Sequence, residues 1–323
     1  MEKLLTINCI LHERSHYIIH FVKEISKLTT ERKNKISVNF IIAKNEQIYE
    51  NYKNTLLNNG IDCKHLSLNN PSHNHDYPSK IQIATSNTNT KYYCKMDEDI
   101  FVPINVWNYI IDNLDNFDDE STLLMSPIIS TGIPSVDFFV EQFFDDENKI
   151  KIIDMFKNHT FTEMWGCNEY TQLNKHTVDS QIWDYESFYE TVNNFDTWMK
   201  GIHPVRPSKD AQVFINDYVI ENFDRFYEKR DYSLIKIKRP YFCNSFFIIN
   251  TEKYLKIIND RSLYRDTYDE APLNLYMKNN NLFLKIINQG FIVHPSYNTI
   301  DSPGNANYHA ISNKFFDFLT TKI

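Results

Sequence analysis

The sequence has no excess of basic charge: 34 Lys and Arg stand against 42 Asp and Glu, for a net charge of -8. Readers of nucleic acid carry a basic face that follows the phosphates, so this balance argues against that class of partner. No apolar run approaches the roughly 20 residues needed to cross a bilayer. The segment from Met1 to Ile10 also lacks the charged head and long apolar stretch of a secretory signal. The expectation is a cytoplasmic protein with no transmembrane segment. Cysteine is sparse and scattered. Cys9, Cys63, Cys94, Cys167 and Cys243 form no C-x-x-C pair, and five is an odd number, so neither a disulfide framework nor a zinc knuckle is indicated. They read as free thiols, mostly packed. The N-x-T sequon at Asn158 is expected to go unused, and no internal repeat is visible.

What is present describes a folded globular chain. Hydrophobic residues make up 42% and aromatics 15%, with 20 Tyr and 23 Phe, far above the disordered class. A length of 323 residues can bury a full core, and one large domain with an insertion is expected. Short apolar runs alternate with helical spacing: "KLLTINCIL" reads as a strand, "SHYIIHFVKEISKL" as a helix and "KISVNFIIA" as a strand. "NEQIYENYKNTLLNNG" follows as a helix closed by Gly60, then "IDCKHLSL" as a strand. This alternation predicts an α/β fold, a Rossmann-like and mostly parallel sheet flanked by helices.

A helix at "SKIQIATSNT" and a strand at "KYYCKM" come next, then a helix near "INVWNYIIDNL" and a strand at "TLLMSPII". Residues 131–231 lose the alternation and read as a largely helical insertion. Beyond it "LIKIKRPYFCNSFFIIN" reads as two strands around a Pro break, "TEKYLKII" and "APLNLYMKNN" as helices, and "LFLKIINQGFIVH" as a terminal strand pair. The expected organisation is a first half over residues 1–130, the insertion over 131–231 and a C-terminal half over 232–323.

The stretch "KYYCKMDEDIFVP" places Asp97, Glu98 and Asp99 directly after an aromatic strand. Adjacent carboxylates repel unless something positive screens them. Residues two apart on a strand share a face, so Asp97 and Asp99 are expected to point together and Glu98 away. Such a D-x-D pair at the carboxyl end of a strand offers oxygen ligands to Mg2+ or Mn2+, with water and a diphosphate completing the shell. Ligands of open α/β sheets bind at those strand ends. The competing reading is an exposed acidic loop.

The segment "KIQIATSNTNTKYYCKMDEDIFVP" resembles the part of GT-A-fold glycosyltransferases in which a helix, a polar link and a strand deliver the D-x-D motif. "INCILHERSHYIIHFVKEIS" is similar to the opening strand and helix of the inverting family 2 of those enzymes, where an Arg follows the first strand. The similarity covers roughly the first 110 residues. It implies a metal-dependent, hexosyltransferase-like enzyme, inverting the anomeric centre, that moves a sugar from a nucleotide-sugar donor such as a UDP-sugar to a hydroxyl of a glycan or other acceptor. Under it, Asp99 is the metal ligand bridging the diphosphate. Asp97 contacts the ribose, or the metal through water, and Glu13 and Arg14 lie near the nucleotide. "AKNEQ", at positions 43–47, departs from the family, whose members carry an acidic residue after the second strand, and this leaves the base open.

Further candidates lie downstream. An inverting transferase needs a base for the acceptor hydroxyl, and "YDEAPLN" offers Asp269 or Glu270 at a helix start, where capping is the alternative role. His294 in "FIVHPSY" and His309 in "NANYH" are candidate further metal ligands, His294 the better placed just past a strand. "DSPGNANYH" reads as a loop that closes over the donor. "GIHPVRPSKD" gathers His203, Arg206 and Lys209, which suit a diphosphate leaving group or an acceptor.

Two rival classes are weighed against the transferase. "HERSH", His12 to His16, matches the H-E-x-x-H of zinc metalloproteases, but it begins just after the first strand, and the helix is expected to start near Ser15. A non-catalytic nucleotide-sugar or carbohydrate-binding protein would keep the fold and lose turnover.

Overall fold

The computed structural model of the chain describes residues 3–11, 16–42, 46–68, 77–130, 135–157, 209–237, 245–260, 263, 271–295 and 306–323. It divides into two compact units. The first comprises Met1–Pro127, Tyr227–Lys238 and Asn244–Ile292, and the second Ile128–Phe226, Arg239–Cys243 and Val293–Ile323.

The first unit is organised by an eight-stranded sheet in the order β3-β2-β1-β4-β7-β5-β8-β6. The central strand β1 (Leu5–Ile10) is buried at all six positions. Its run LTINCI is too apolar for an edge and matches a parallel strand covered on both faces. Parallel partners flank it, β2 (Ile36–Ile42) on one side and β4 (Tyr92–Asp97) on the other, and β3 (Asp62–Ser67) adds to β2 in the same sense. β7 (Phe246–Asn250) runs antiparallel to β4 and to β5 (Thr122–Ile129), so β1 to β5 all point one way. β8 (Phe283–Ile292) and β6 (Ser233–Ile237) form an antiparallel pair that ends the sheet. The α/β expectation holds, with helices flanking the sheet.

Helix formation follows the predicted periodicity. α1 (Ile18–Ser26) buries Ile18, Phe21, Val22 and Ile25 along one stripe. A single turn, α2 (Thr30–Lys33), precedes β2. α3 (Glu46–Asn58) ends at Gly60, whose φ of +76° allows the Ile61 N–H to reach Leu56 O at 2.9 Å and the Gly60 N–H to reach Leu57 O at 2.9 Å. α4 (Tyr77–Ser86) leads into β4, and α5 (Ile104–Asp112) leaves from it. Glu24, fully buried on α1, accepts the first amide of α5, Ile104 N, at 2.7 Å. The same carboxylate takes the Tyr227 hydroxyl at 3.2 Å and ion-pairs with Lys27. An otherwise costly buried charge is thereby satisfied while it orients α5.

The second unit is helical in its described part: α6 (Ser135–Phe143), α7 (Asp146–Lys157), α8 (Lys209–Glu221), the short α9 (Phe223–Tyr227) ending at its border, and a C-terminal helix. Phe139, Phe143, Phe144 and Phe226 pack ring against ring, and the Tyr218 hydroxyl donates to Phe143 O at 2.7 Å. Within residues 131–231, the described part consists of α6 to α9. Residues 158–208 lie outside the described residues.

Back in the first unit, α10 (Thr251–Asn259) follows β7, capped by the Asn250 side chain on Lys253 N at 3.1 Å, and α11 (Ala271–Asn279) follows later. Two expectations are corrected. "LFLKIINQGFIVH" is one ten-residue strand and not a strand pair, because Gln289 absorbs the irregularity at φ 62° within β8 and the strand continues. The loop expected at "DSPGNANYH" ends in a helix, α12 (Ala306–Lys322), which contains His309. Its apolar positions Ile311, Phe315, Phe316 and Leu319 are buried at helical spacing. Among the described residues, no helix is long and apolar enough to cross a membrane.

Candidate functional site

Strand order reverses between β1 and β4: the chain runs outward from β1 through β2 to β3, then returns to the other side of β1. The carboxyl ends of β1 and β4 therefore border a topological switch point, where open α/β sheets form a crevice. Register places Ile10 opposite Asp97, so the acidic stretch begins at that edge.

Asp97 is the last residue of β4, its N–H donating to Ser245 O at 3.0 Å. The chain then turns, with Ile100 N reaching back to Asp97 O at 3.4 Å. Ile100, Phe101 and Val102 are buried and anchor the exit of this turn. Glu98 and Asp99 thus lie beyond the strand, and both are only 3% exposed. Two expectations change here. The two-residue alternation stops at Asp97 and does not by itself align Asp99 with it. An exposed acidic loop is also not what forms, since the apolar "IFV" draws the turn inward.

The positive group that the acidic cluster calls for at Asp97 belongs to the chain itself. Lys95 Nζ lies 2.6 Å from Asp97 Oδ1, with side-chain exposures of 1% and 22%. The sequence reading overlooked Lys95, although the period-two argument that paired Asp97 with Asp99 also puts Lys95 on the face of Asp97. Asn8 and Asn39 continue that row across β1 and β2, the Asn39 amide donating to Asn8 Oδ1 at 2.9 Å. The Asn8 amide in turn donates to Thr88 Oγ1 at 3.2 Å, tying the link after α4 to the sheet. A second buried ammonium, Lys80 on α4, donates to Leu11 O at 2.9 Å just past β1. Two buried lysines and three acidic residues therefore meet the same strand ends.

Of the remaining sequence candidates, His294 belongs to the second unit, where it is buried and its N–H meets Ser130 Oγ at 3.2 Å. Glu13, Arg14, His203, Arg206, Asp269 and Glu270 lie outside the described residues, as does the side chain of Lys209. Among the described residues no group of three or more His, Cys, Asp or Glu side chains is placed to hold a metal ion. Asp97 and Asp99 still fit Mg2+ or Mn2+ in chemistry. These ions take one or two protein carboxylates and fill the remaining positions with water and phosphate oxygens. For the H-E-x-x-H match, α1 begins only at Ile18, so His16 precedes that helix, and His12 to Ser15 lie outside the described residues.

No protein-family model matches the sequence, and none of the curated proteins matches it. Among solved structures the chain is similar to TarS 1-349 of S. aureus, at 10% identity and a TM-score of 0.41, over 90% of this chain and 60% of that one. The mannosyltransferase PcManGT of Pyrobaculum calidifontis, in complex with GDP-Man and Mn2+, is similar at 9% identity and a TM-score of 0.35. That match covers 71% of this chain and 65% of the mannosyltransferase. The inositol-1-phosphate CTP transferase of T. maritima is similar at 9% identity and a TM-score of 0.37, over 99% and 96% of the two chains. The chain spans about 60% of the length of the TarS structure.

Proposed function

We propose that the chain is a glycosyltransferase of GT-A type that uses a nucleotide-sugar donor, a UDP-sugar first among candidates, and a hydroxyl acceptor. The observation that supports it is the acidic turn at Asp97 to Asp99, on the carboxyl end of β4 beside the switch point of a Rossmann-like sheet. A divalent cation bound there would offset the charge gathering on the diphosphate as it departs. Asp99 is the carboxylate assigned to hold that cation. Asp97 faces a nucleotide hydroxyl, and Arg206, Glu13 and Arg14 are assigned to the nucleotide.

Transfer forms a bond between the acceptor oxygen and the anomeric carbon and breaks the bond from that carbon to the phosphate oxygen. The leaving nucleotide carries away the electron pair, and the acceptor proton passes to Asp269 or Glu270. A single displacement of this kind inverts the anomeric centre.

Donor hydrolysis, measured as UDP released from a panel of UDP-sugars with and without Mn2+, tests the reading. It predicts metal-dependent release, reduced about a hundredfold or more by Asp269→Asn or Glu270→Gln. Metal-dependent nucleotide binding without any turnover would instead describe a binding protein of the same fold. Full turnover in both acid variants would remove the base assignment.

A further inference from the structure

We propose that His65 and Glu50 form a proton-operated switch between the edge strand β3 and helix α3. A proton taken up at His65 Nδ1 draws Glu50 away from Lys53 and loosens α3 from the sheet. The switch stands apart from the transferase reading, since none of its residues is assigned to the donor or the acceptor.

The geometry carries it. β3 ends the sheet, and His65 lies in register with Phe40 of β2, the two rings 5.9 Å apart. Both ring nitrogens meet oxygens of α3: Nε2 lies 3.0 Å from Tyr49 O, and Nδ1 lies 2.9 Å from Glu50 Oε1. A carbonyl oxygen and a carboxylate only accept, and a neutral imidazole has a single N–H. That hydrogen belongs on Nε2, because the Tyr49 carbonyl is fixed in the helix, whereas Glu50 has a second partner. Lys53 Nζ donates to the two Glu50 oxygens at 3.2 and 3.3 Å. The Nδ1 lone pair therefore faces a carboxylate that would pair with any N–H created there.

The surroundings set the sign. Asp62 and Lys64 alternate onto the other face of β3, and β2 offers only Val38 and Phe40 beside this one. Cys63 shares the face, but burial pushes its thiol up to about 12, so it stays neutral. The side chain of His65 is only 10% exposed, and burial presses its pKa below the usual histidine range against the pull of Glu50 and the Tyr49 carbonyl. Lys53 holds the Glu50 carboxyl below its usual range, so Glu50 stays ionised while His65 titrates. With α3 lifted, the ring returns to water and takes its proton near about pH 6.5. Seating of α3 is therefore complete above that value and weakens as pH falls through the lower, seated one.

The test uses the full chain with 15N-labelled histidine, the His65 signal being identified by its loss in His65→Gln. Nuclear magnetic resonance is expected to show the Nε2–H tautomer at high pH and a midpoint below about 6.5. Glu50→Gln is expected to lower that midpoint by about half a pH unit or more, and Lys53→Met to raise it by a similar amount. Hydrogen exchange of the α3 amides, corrected for the chemical rate, is expected to lose about threefold or more in protection between about pH 7 and pH 5. A merely structural histidine would leave the midpoint where it is in both variants. Glu50 and Lys53 have partly exposed side chains, so the two midpoints remain readable even if His65→Gln does not fold. An Nδ1–H tautomer, a midpoint unmoved by Glu50→Gln, or constant α3 protection across the titration would each overturn the proposal.

Discussion

Asp119, at the entry to β5, shows how a single carboxylate ties the lower edge of the sheet together. It accepts from Ser121 N at 3.0 Å and Thr122 Oγ1 at 2.9 Å, and it pairs with Lys285 of β8 at 2.9 Å. Burial pushes its carboxyl upward, but the hydrogen bonds from Lys285, Ser121 and Thr122 outweigh this and hold it well below the usual carboxylate range. A folded-state pKa below the unfolded one stabilises the native state above the unfolded value, near 4, and that contribution is lost as pH falls through the folded value. Asp119→Asn is therefore expected to flatten the fall of melting temperature between about pH 4 and pH 2, read by calorimetry. Solvent around this half-exposed side chain keeps the effect small. An identical slope in the variant would remove Asp119 from acid sensitivity. At this scale the acidic motif was legible in the sequence because it is contiguous, and Lys95 was equally near. The reach of Glu24 to Ile104 was not legible, since it joins residues far apart in sequence that only the packing of α1 against α5 brings together.

β8 shows where the reading of elements failed. Gly next to a polar residue reads as a turn in sequence, yet Gly290 is needed for close packing inside a strand. A Cβ there would lie 2.4 Å from Ile287 Cγ2 and 3.0 Å from Ile287 O, and Ile287 is fully buried. Gly290→Ala is expected to destabilise the fold by about 1–3 kcal/mol in chemical denaturation, the usual cost of overpacking. A change within error would show that β8 yields at this point. β1, β2 and β5 were legible because parallel-sheet burial writes continuous apolar runs. The polar C-terminal helix was missed because "NANYH" opens it with loop-like composition before its apolar stripe begins.

Across the whole molecule, the α/β alternation predicted a parallel block, and β1 to β5 do share one direction. Which strand lies beside which was not legible. The insertion of β7 between β4 and β5 depends on pairing of strands more than a hundred residues apart in sequence, which no local pattern encodes. That insertion gives Asp97 its backbone partner at Ser245 and so fixes the edge on which the functional proposal stands. The most direct test is calorimetric titration of UDP into wild type and Asp99→Asn, each with and without Mn2+. The account predicts binding to wild type that requires the metal and is weakened about a hundredfold or more by Asp99→Asn, as expected when a charged ligand to the cation is removed. Equal, metal-dependent binding by the two proteins would contradict it.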